Sequence, residues 1–163
     1  MLASGCSGEN VGRMEKTSPE RILVVDDEED ILLLCRVNLE FEGYEVVTAS
    51  SGVEGLEKAR AVLPSLVLLD VMMPKMDGWH VLEALKADPA TANTPVIILT
   101  ARVQGQDQMR GWAGGADDYI MKPFSPPALL ETIHRVLHPA DPGELDRRRE
   151  RSIEKLKLLN SQF

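Results

Sequence analysis

The sequence is poor in cysteine and has no long apolar run, and its body (residues 20–138) shows no cluster of basic residues. Its two cysteines, Cys6 and Cys35, are far apart and match no metal-binding or redox spacing, so nothing requires an oxidising compartment. No apolar run approaches the ~18 residues that a membrane-spanning helix needs. The start of the chain also lacks the basic and apolar segments of a signal peptide. We therefore expect a cytoplasmic protein without membrane insertion.

The charge balance is acidic. The net charge is −8, and within residues 20–138 the 19 acidic side chains outnumber the 10 basic ones. Direct nucleic-acid binding needs clustered Lys and Arg to neutralise phosphates, so this composition argues against it. An apolar content of 44% with 27% charged residues is typical of a globular domain with its own core.

Short apolar runs that end in polar residues recur along the chain. Leu66–Leu69 is apolar without alternation and runs into Asp70, which is typical of a strand buried on both faces. Segments with helical spacing separate these runs. The sequence therefore predicts an α/β fold with five parallel strands and five helices, a doubly wound sheet in the flavodoxin-like order 2-1-3-4-5. The predicted strands cover residues 21–25, 44–49, 66–70, 95–99 and 118–121, and the weakest helix covers about 104–112.

The two ends of the chain differ from this pattern. Residues 1–19 are rich in Gly and Ser, and we interpret them as a disordered leader in which Met14 is an alternative start. Residues 139–163 are predicted to form an amphipathic helical tail, which is too short for an output domain. Packing or fraying of the tail and a partner-binding or dimerisation role both remain open.

Polar side chains follow four of the predicted strands. They are Asp26 and Asp27 after the first, Asp70 after the third, Thr100 after the fourth and Lys122 after the fifth. In an open α/β sheet these strand ends share one edge, where ligands bind. Carboxylates brought together repel each other, and Mg²⁺, which prefers oxygen ligands, relieves that repulsion. Carboxylates, Mg²⁺, a lysine and a hydroxyl suit phosphoryl transfer, with a carboxylate as the nucleophile.

Simpler interpretations apply to several neighbouring residues. We interpret Glu28, Glu29 and Asp30 as a solvated acidic first turn favoured by the helix dipole. Plain core packing is one explanation for Tyr119. The three histidines, His80, His134 and His138, share no metal spacing, and we expect none of them to be a phosphodonor.

Together, the motifs at the strand ends resemble the receiver domain of two-component response regulators, the CheY-like superfamily. The resemblance covers about residues 20–138, and the motifs occur in the family's order and spacing. They are Val24-Val25-Asp26-Asp27, Leu68-Leu69-Asp70-Val-Met-Met-Pro74 with Asp77-Gly78, Leu99-Thr100-Ala101 and Ala116-Asp-Asp-Tyr-Ile-Met-Lys-Pro-Phe124.

The resemblance implies a role for each matching residue. Asp70 would accept a phosphoryl group from a histidine kinase or phosphotransfer protein, and Lys122, whose bond to Pro123 would be cis, would contact the phosphate. Thr100 and Tyr119 would move as switch residues after transfer. The implied Mg²⁺ ligands are Asp26 (through water), Asp27, Asp70 and the backbone carbonyl of Met72.

These observations predict a single-domain response regulator. It would catalyse only its own phosphoryl transfer and dephosphorylation, and would signal through a downstream protein target, with homodimerisation as one mode. The alternatives are a truncated receiver of a larger DNA-binding or enzymatic regulator, and a pseudo-receiver that is not phosphorylated. A small-molecule phosphatase is disfavoured, because its nucleophilic Asp would follow the first strand with a second Asp two residues on.

Overall fold

The computed structural model describes residues 18–73, 78–101 and 114–140, together with Gly143, Arg147 and Glu150. Most of the predicted leader, the predicted helix over about 104–112 and nearly all of the predicted tail lie outside these residues. The described elements are β1 (Arg21–Val25), α1 (Glu29–Phe41), β2 (Glu45–Ala49), α2 (Gly52–Val62), β3 (Leu66–Asp70), α3 (Gly78–Ala87), β4 (Val96–Thr100), β5 (Asp118–Met121) and α4 (Pro126–Leu137).

The sheet has five parallel strands in the order β2-β1-β3-β4-β5, which confirms the predicted fold. Every residue of β3 and β4 is buried, and so are four of the five residues of β1. These are the runs without polar alternation, as expected for strands covered by helices on both faces. Edge strand β2 is only partly buried.

Each face of the sheet carries its own core. On one face, alternate residues such as Leu23, Val67 and Ile98 pack with Trp79 and Leu82. The opposite face is covered by α1 and α4. Its cluster of buried side chains consists of Ile22, Val24, Cys35, Leu39, Leu66, Leu68, Ile97, Leu99, Ile120, Leu129, Ile133 and Val136. Successive strand residues thus point to opposite faces, and both are buried.

Side-chain caps begin two of the helices. The Ser51 hydroxyl accepts from the Glu54 N–H at 3.2 Å, and Ser125 caps α4 in the same way, directly before Pro126. Glu54 returns its carboxylate to the N–H of Ser50 rather than to that of Ser51. Ser51 followed three residues later by Glu54 is the sequence pattern of a capping box, and the box forms here with a shift of one residue on its return side.

Among the described residues, no helix is long and apolar enough to cross a bilayer.

Candidate functional site

The carboxyl ends of β1, β3, β4 and β5 meet at one edge of the sheet. Asp70 and Thr100 are the last residues of β3 and β4, while Asp26 and Lys122 directly follow β1 and β5. All four are largely withdrawn from solvent, with Asp26 at 0%, Thr100 at 1% and Asp70 at 2% exposure. The fold brings together the groups that the sequence predicts at this edge.

Lys122 lies at the centre of the group. Its Nζ is 2.7 Å from Asp26 Oδ2, 3.2 Å from Glu28 Oε1 and 3.4 Å from Asp70 Oδ2. The ammonium donates hydrogen bonds to Glu28 and Asp70 and forms an ion pair with Asp26. The lysine is therefore the counter-charge that allows two buried aspartates to lie side by side.

Backbone groups hold the second oxygen of each buried aspartate. Asp26 Oδ1 accepts the N–H of Glu28 at 2.9 Å, and Asp70 Oδ1 accepts the N–H of Met72 at 2.8 Å. The N–H of Lys122 donates to the carbonyl of Thr100 at 2.8 Å, which ties the end of β5 to β4. The Lys122–Pro123 peptide bond is cis, as the resemblance implies. Both carboxylates thus have one oxygen fixed by the chain and the other near the ammonium.

Burial sets the electrostatics of the site. It is the main cause that raises the pKa of Asp70 to about 6; the Met72 N–H opposes the rise, the Asp26 charge adds to it and Lys122 opposes it. Burial also raises the pKa of Asp26, against the opposing effect of Lys122. Desolvation alone would lower the pKa of Lys122, but its carboxylate partners outweigh it and the pKa is raised. At neutral pH the site therefore holds an ammonium among carboxylates that are costly to keep ionised.

Four carboxylates are placed closely enough to bind one cation. Asp26, Asp27, Glu28 and Asp70 each offer an oxygen, and these oxygens all lie within 4.8 Å of one another. The set contains only hard oxygen donors, and Asp27 and Glu28 are open to solvent. This donor chemistry fits a divalent cation such as Mg²⁺, which keeps part of its water shell. The raised pKa values give a second reason for the fit, since a cation would offset the repulsion between the buried aspartates.

Met72 adjoins this group, whereas Tyr119, His134 and His138 lie elsewhere in the fold. Met72 directs its backbone N–H to Asp70, while its side chain is 54% exposed. Tyr119 is half-buried on β5, where it packs against the core cluster beneath α2 and α3. His138 lies 2.8 Å from Glu20 and makes a ring contact with His134, and the described carboxylate group contains no histidine.

Glu28 was interpreted from the sequence as part of a solvated turn, but its carboxylate contacts Lys122 and belongs to the carboxylate group. The sequence carries one weak signal for this placement. Glutamate is not among the preferred residues at a helix N-cap, and Glu28 is the N-cap of α1 without capping through its side chain.

Comparisons with known proteins find similar sequences and structures. A family model described as the response regulator receiver domain matches residues 22–134. A probable transcriptional regulator, ycf27 of Pyropia yezoensis, is 48% identical over 122 residues, which are 75% of this chain and 49% of that protein. The DNA-binding dual master transcriptional regulator RpaA of Synechocystis sp. is 42% identical over 121 residues, which are 74% of this chain and 50% of RpaA.

A solved structure with the same architecture is that of the chemotaxis protein CheY4 of Vibrio cholerae. It superposes with a TM-score of 0.71 at 34% identity, covering 73% of this chain and 99% of that one. The chain thus spans about half the length of the curated relatives it matches, whereas nearly the whole length of CheY4 is matched.

Proposed function

Because this chain belongs to the family of response regulator receiver domains, we propose that it is a phospho-aspartate switch in which Asp70 accepts a phosphoryl group. The arrangement of Asp70 carries this proposal. One of its oxygens is fixed by the Met72 N–H, and the other lies 3.4 Å from the Lys122 ammonium at an edge of the sheet. A pKa of about 6 leaves the carboxylate ionised at neutral pH and therefore nucleophilic.

The proposed reaction is a single displacement at phosphorus. An Asp70 oxygen forms a bond to the phosphorus of a phosphohistidine, and the bond from phosphorus to the imidazole nitrogen breaks. The bonding electron pair stays on that nitrogen, which takes up a proton from solvent. Lys122 is already placed to neutralise charge on the transferring group, and such positioning with electrostatic stabilisation dominates catalysis of phosphoryl transfer.

We propose Mg²⁺ as the cofactor, with Asp27, Asp70 and the Met72 carbonyl as direct ligands and Asp26 acting through water. The ion would supply positive charge next to the oxygens of the phosphoryl group. Asp26 is fully buried, accepts the Glu28 N–H and forms an ion pair with Lys122, so its part is to fix the ammonium and the start of α1.

Thr100 and Tyr119 are the proposed switch residues. Thr100 ends β4 next to Asp70 on β3, and its carbonyl binds the N–H of Lys122. A new charge on Asp70 would attract the Thr100 hydroxyl, and Tyr119 on the adjacent strand β5 would move into the vacated space. A charge added at one site would in this way change the surface around β4 and β5.

The proposed partners are a sensor histidine kinase or phosphotransfer protein as donor, and a downstream protein as target, in the cytoplasm. Catalysis would be limited to the protein's own phosphorylation and dephosphorylation. A homodimer is one output that a change at the β4–β5 surface can produce.

A second candidate is the receiver portion of a longer transcriptional regulator. It is favoured by the relatives named as transcriptional regulators, of which this chain matches about half. In that case the same switch would act on a DNA-binding portion. The acidic charge of residues 20–138 would then argue against nucleic-acid binding by the receiver alone.

Titration with beryllofluoride, which imitates a phosphoryl group on a carboxylate, tests the proposal. We expect a Mg²⁺-dependent change in the fluorescence of Trp79 and Trp112, and no such change in Asp70→Asn. The elution volume from a sizing column, with and without beryllofluoride, reports whether the switch drives dimerisation. If the fluorescence of the wild-type protein does not change with beryllofluoride, as expected for the Asp70→Asn control, the result would instead indicate a pseudo-receiver that binds partners constitutively.

A further inference from the structure

The side chain of Glu28 does not cap the helix that it precedes. As the N-cap of α1, its carbonyl accepts the N–H groups of Ile31 and Leu32 at 3.1 Å, while its side chain makes no capping bond. Its own N–H donates to Asp26 Oδ1. The backbone of Glu28 is therefore anchored at both ends, and its carboxylate is left to reach Lys122, 94 residues further along the chain.

The three partners of the Lys122 ammonium differ in distance and exposure. Nζ lies closer to Asp26 (2.7 Å) and to Glu28 (3.2 Å) than to Asp70 (3.4 Å). The Asp26 side chain is fully buried and that of Asp70 is 3% exposed, whereas that of Glu28 is 59% exposed. Water can replace the ammonium around Glu28 at low cost, but it cannot do so around Asp26.

A phosphoryl group on Asp70 would compete for the same ammonium. Lys122 has three N–H donors, and in this structure three carboxylates occupy its neighbourhood. A move of Nζ toward a group on Asp70 would lengthen its contacts with Asp26 and Glu28, and the exposed Glu28 contact is the less costly of the two to lengthen.

We infer that Glu28 is a positioning residue that shares the Lys122 ammonium with Asp70 in the resting protein and competes with the phosphoryl group for that ammonium. This inference rests on the proposed function and adds a residue that restrains it. Since an exposed ion pair contributes little, its removal should tighten beryllofluoride binding by about two- to fivefold at saturating Mg²⁺.

Three variants separate contact with Lys122 from charge alone. Glu28→Gln removes the charge of the competitor. Glu29→Gln removes the same charge from the next residue, an exposed first-turn glutamate of α1. Glu28→Asp keeps the charge but shortens the side chain by one methylene, and Asp at an N-cap turns back to bond the first backbone N–H groups of its own helix.

The experiment measures the dissociation constant of beryllofluoride at saturating Mg²⁺, that of Mg²⁺ alone, and the urea unfolding midpoint for all four proteins. We expect Glu28→Gln and Glu28→Asp to bind beryllofluoride more tightly than wild type, and Glu29→Gln to bind it like wild type. Glu28→Gln should weaken Mg²⁺ binding slightly more than Glu29→Gln, because Glu28 belongs to the carboxylate group and Glu29 does not.

Other outcomes overturn the inference. Equal beryllofluoride affinities in Glu28→Gln and Glu29→Gln would show that the contact between Glu28 and Lys122 does not restrain binding. A much larger loss of Mg²⁺ affinity in Glu28→Gln would make Glu28 a metal ligand, and weaker beryllofluoride binding would make it an aid to the reaction. Failure of the proposed function is distinguishable, since the wild-type protein itself would then not respond to beryllofluoride.

Discussion

Replacing Asp70 by Asn should make the metal-free protein more stable, although it removes an ion pair. Burial and the Asp26 charge raise the pKa of Asp70 from 3.8 to about 6, and this value already includes the opposing attraction of Lys122. A difference of that size means that ionised Asp70 destabilises the folded state, relative to the unfolded state, by about 3 kcal/mol. Asparagine keeps an oxygen for the Met72 N–H and carries no charge.

The sign of the pH dependence follows from the raised pKa. Between about pH 3.8 and 6 the folded state binds more protons at Asp70 than the unfolded state, so stability falls as the pH rises. The stabilisation by protonated Asp70 is fully present below pH 3.8 and is lost as the pH passes through about 6. The advantage of Asp70→Asn over wild type should therefore be about 3 kcal/mol at pH 8, and about half of that at pH 5.

Urea unfolding in the presence of a chelator, at several pH values, measures this difference. Glu57→Gln is the matched control, since Glu57 is an exposed residue of α2, and its curve should follow that of wild type. Added Mg²⁺ should narrow the gap, because a ligand that binds only the folded state stabilises it and wild type retains the Asp70 ligand. A metal-free Asp70→Asn protein that is less stable than wild type at pH 8, or a gap that does not vary with pH, would refute this account of the site.

Three further changes test the surroundings of the site. Lys122→Met leaves two buried carboxylates without their ammonium, so at pH 8 in chelator its free energy of unfolding should fall by about 3 kcal/mol. The variant should also no longer respond to beryllofluoride. An unchanged urea midpoint would contradict the central place of the lysine. Gly78→Ala should lower the free energy of unfolding in urea by about 1–3 kcal/mol, because a Cβ there would overlap the Asp70 carbonyl oxygen and Val71 Cα. A variant as stable as wild type would show that the start of α3 shifts freely. Ser51→Ala removes the hydroxyl that accepts the Glu54 N–H, and a loss of about 1 kcal/mol is expected from the same measurement, with no change in beryllofluoride affinity.

The fold was predictable because its signals are local and repeated. The apolar runs that became β1, β3 and β4 lack alternation because helices cover both faces, and their polar ends mark where each strand stops. The cap residues of the helices can also be identified from the sequence, except that the Glu54 carboxylate accepts the N–H of Ser50 instead of that of Ser51. That exchange depends on the path of the chain before the helix, which residue types alone do not specify.

The roles of the site residues remain predictions, as do the domain bounds 20–138 and the absence of a nucleic-acid partner. The placement of the residues was predictable in part. Asp26, Asp70, Thr100 and Lys122 follow parallel strands of one sheet, and such strand ends share an edge by geometry. Glu28 was interpreted differently, because an acidic residue in the first turn of a helix usually has the helix dipole and water as its partners.

The order of residues along the chain is enough to specify the alternation of strands and helices, the edge at which the polar residues gather and the kind of chemistry they suit. These follow from hydrophobic periodicity and from the order of motifs along the chain. The folded domain is needed to establish which carboxylates share the Lys122 ammonium, at what distances, and how far the pKa of Asp70 is raised. The reason is physical: an ion pair between residues 94 positions apart, and the loss of water around a carboxylate, depend on the packing of the whole domain.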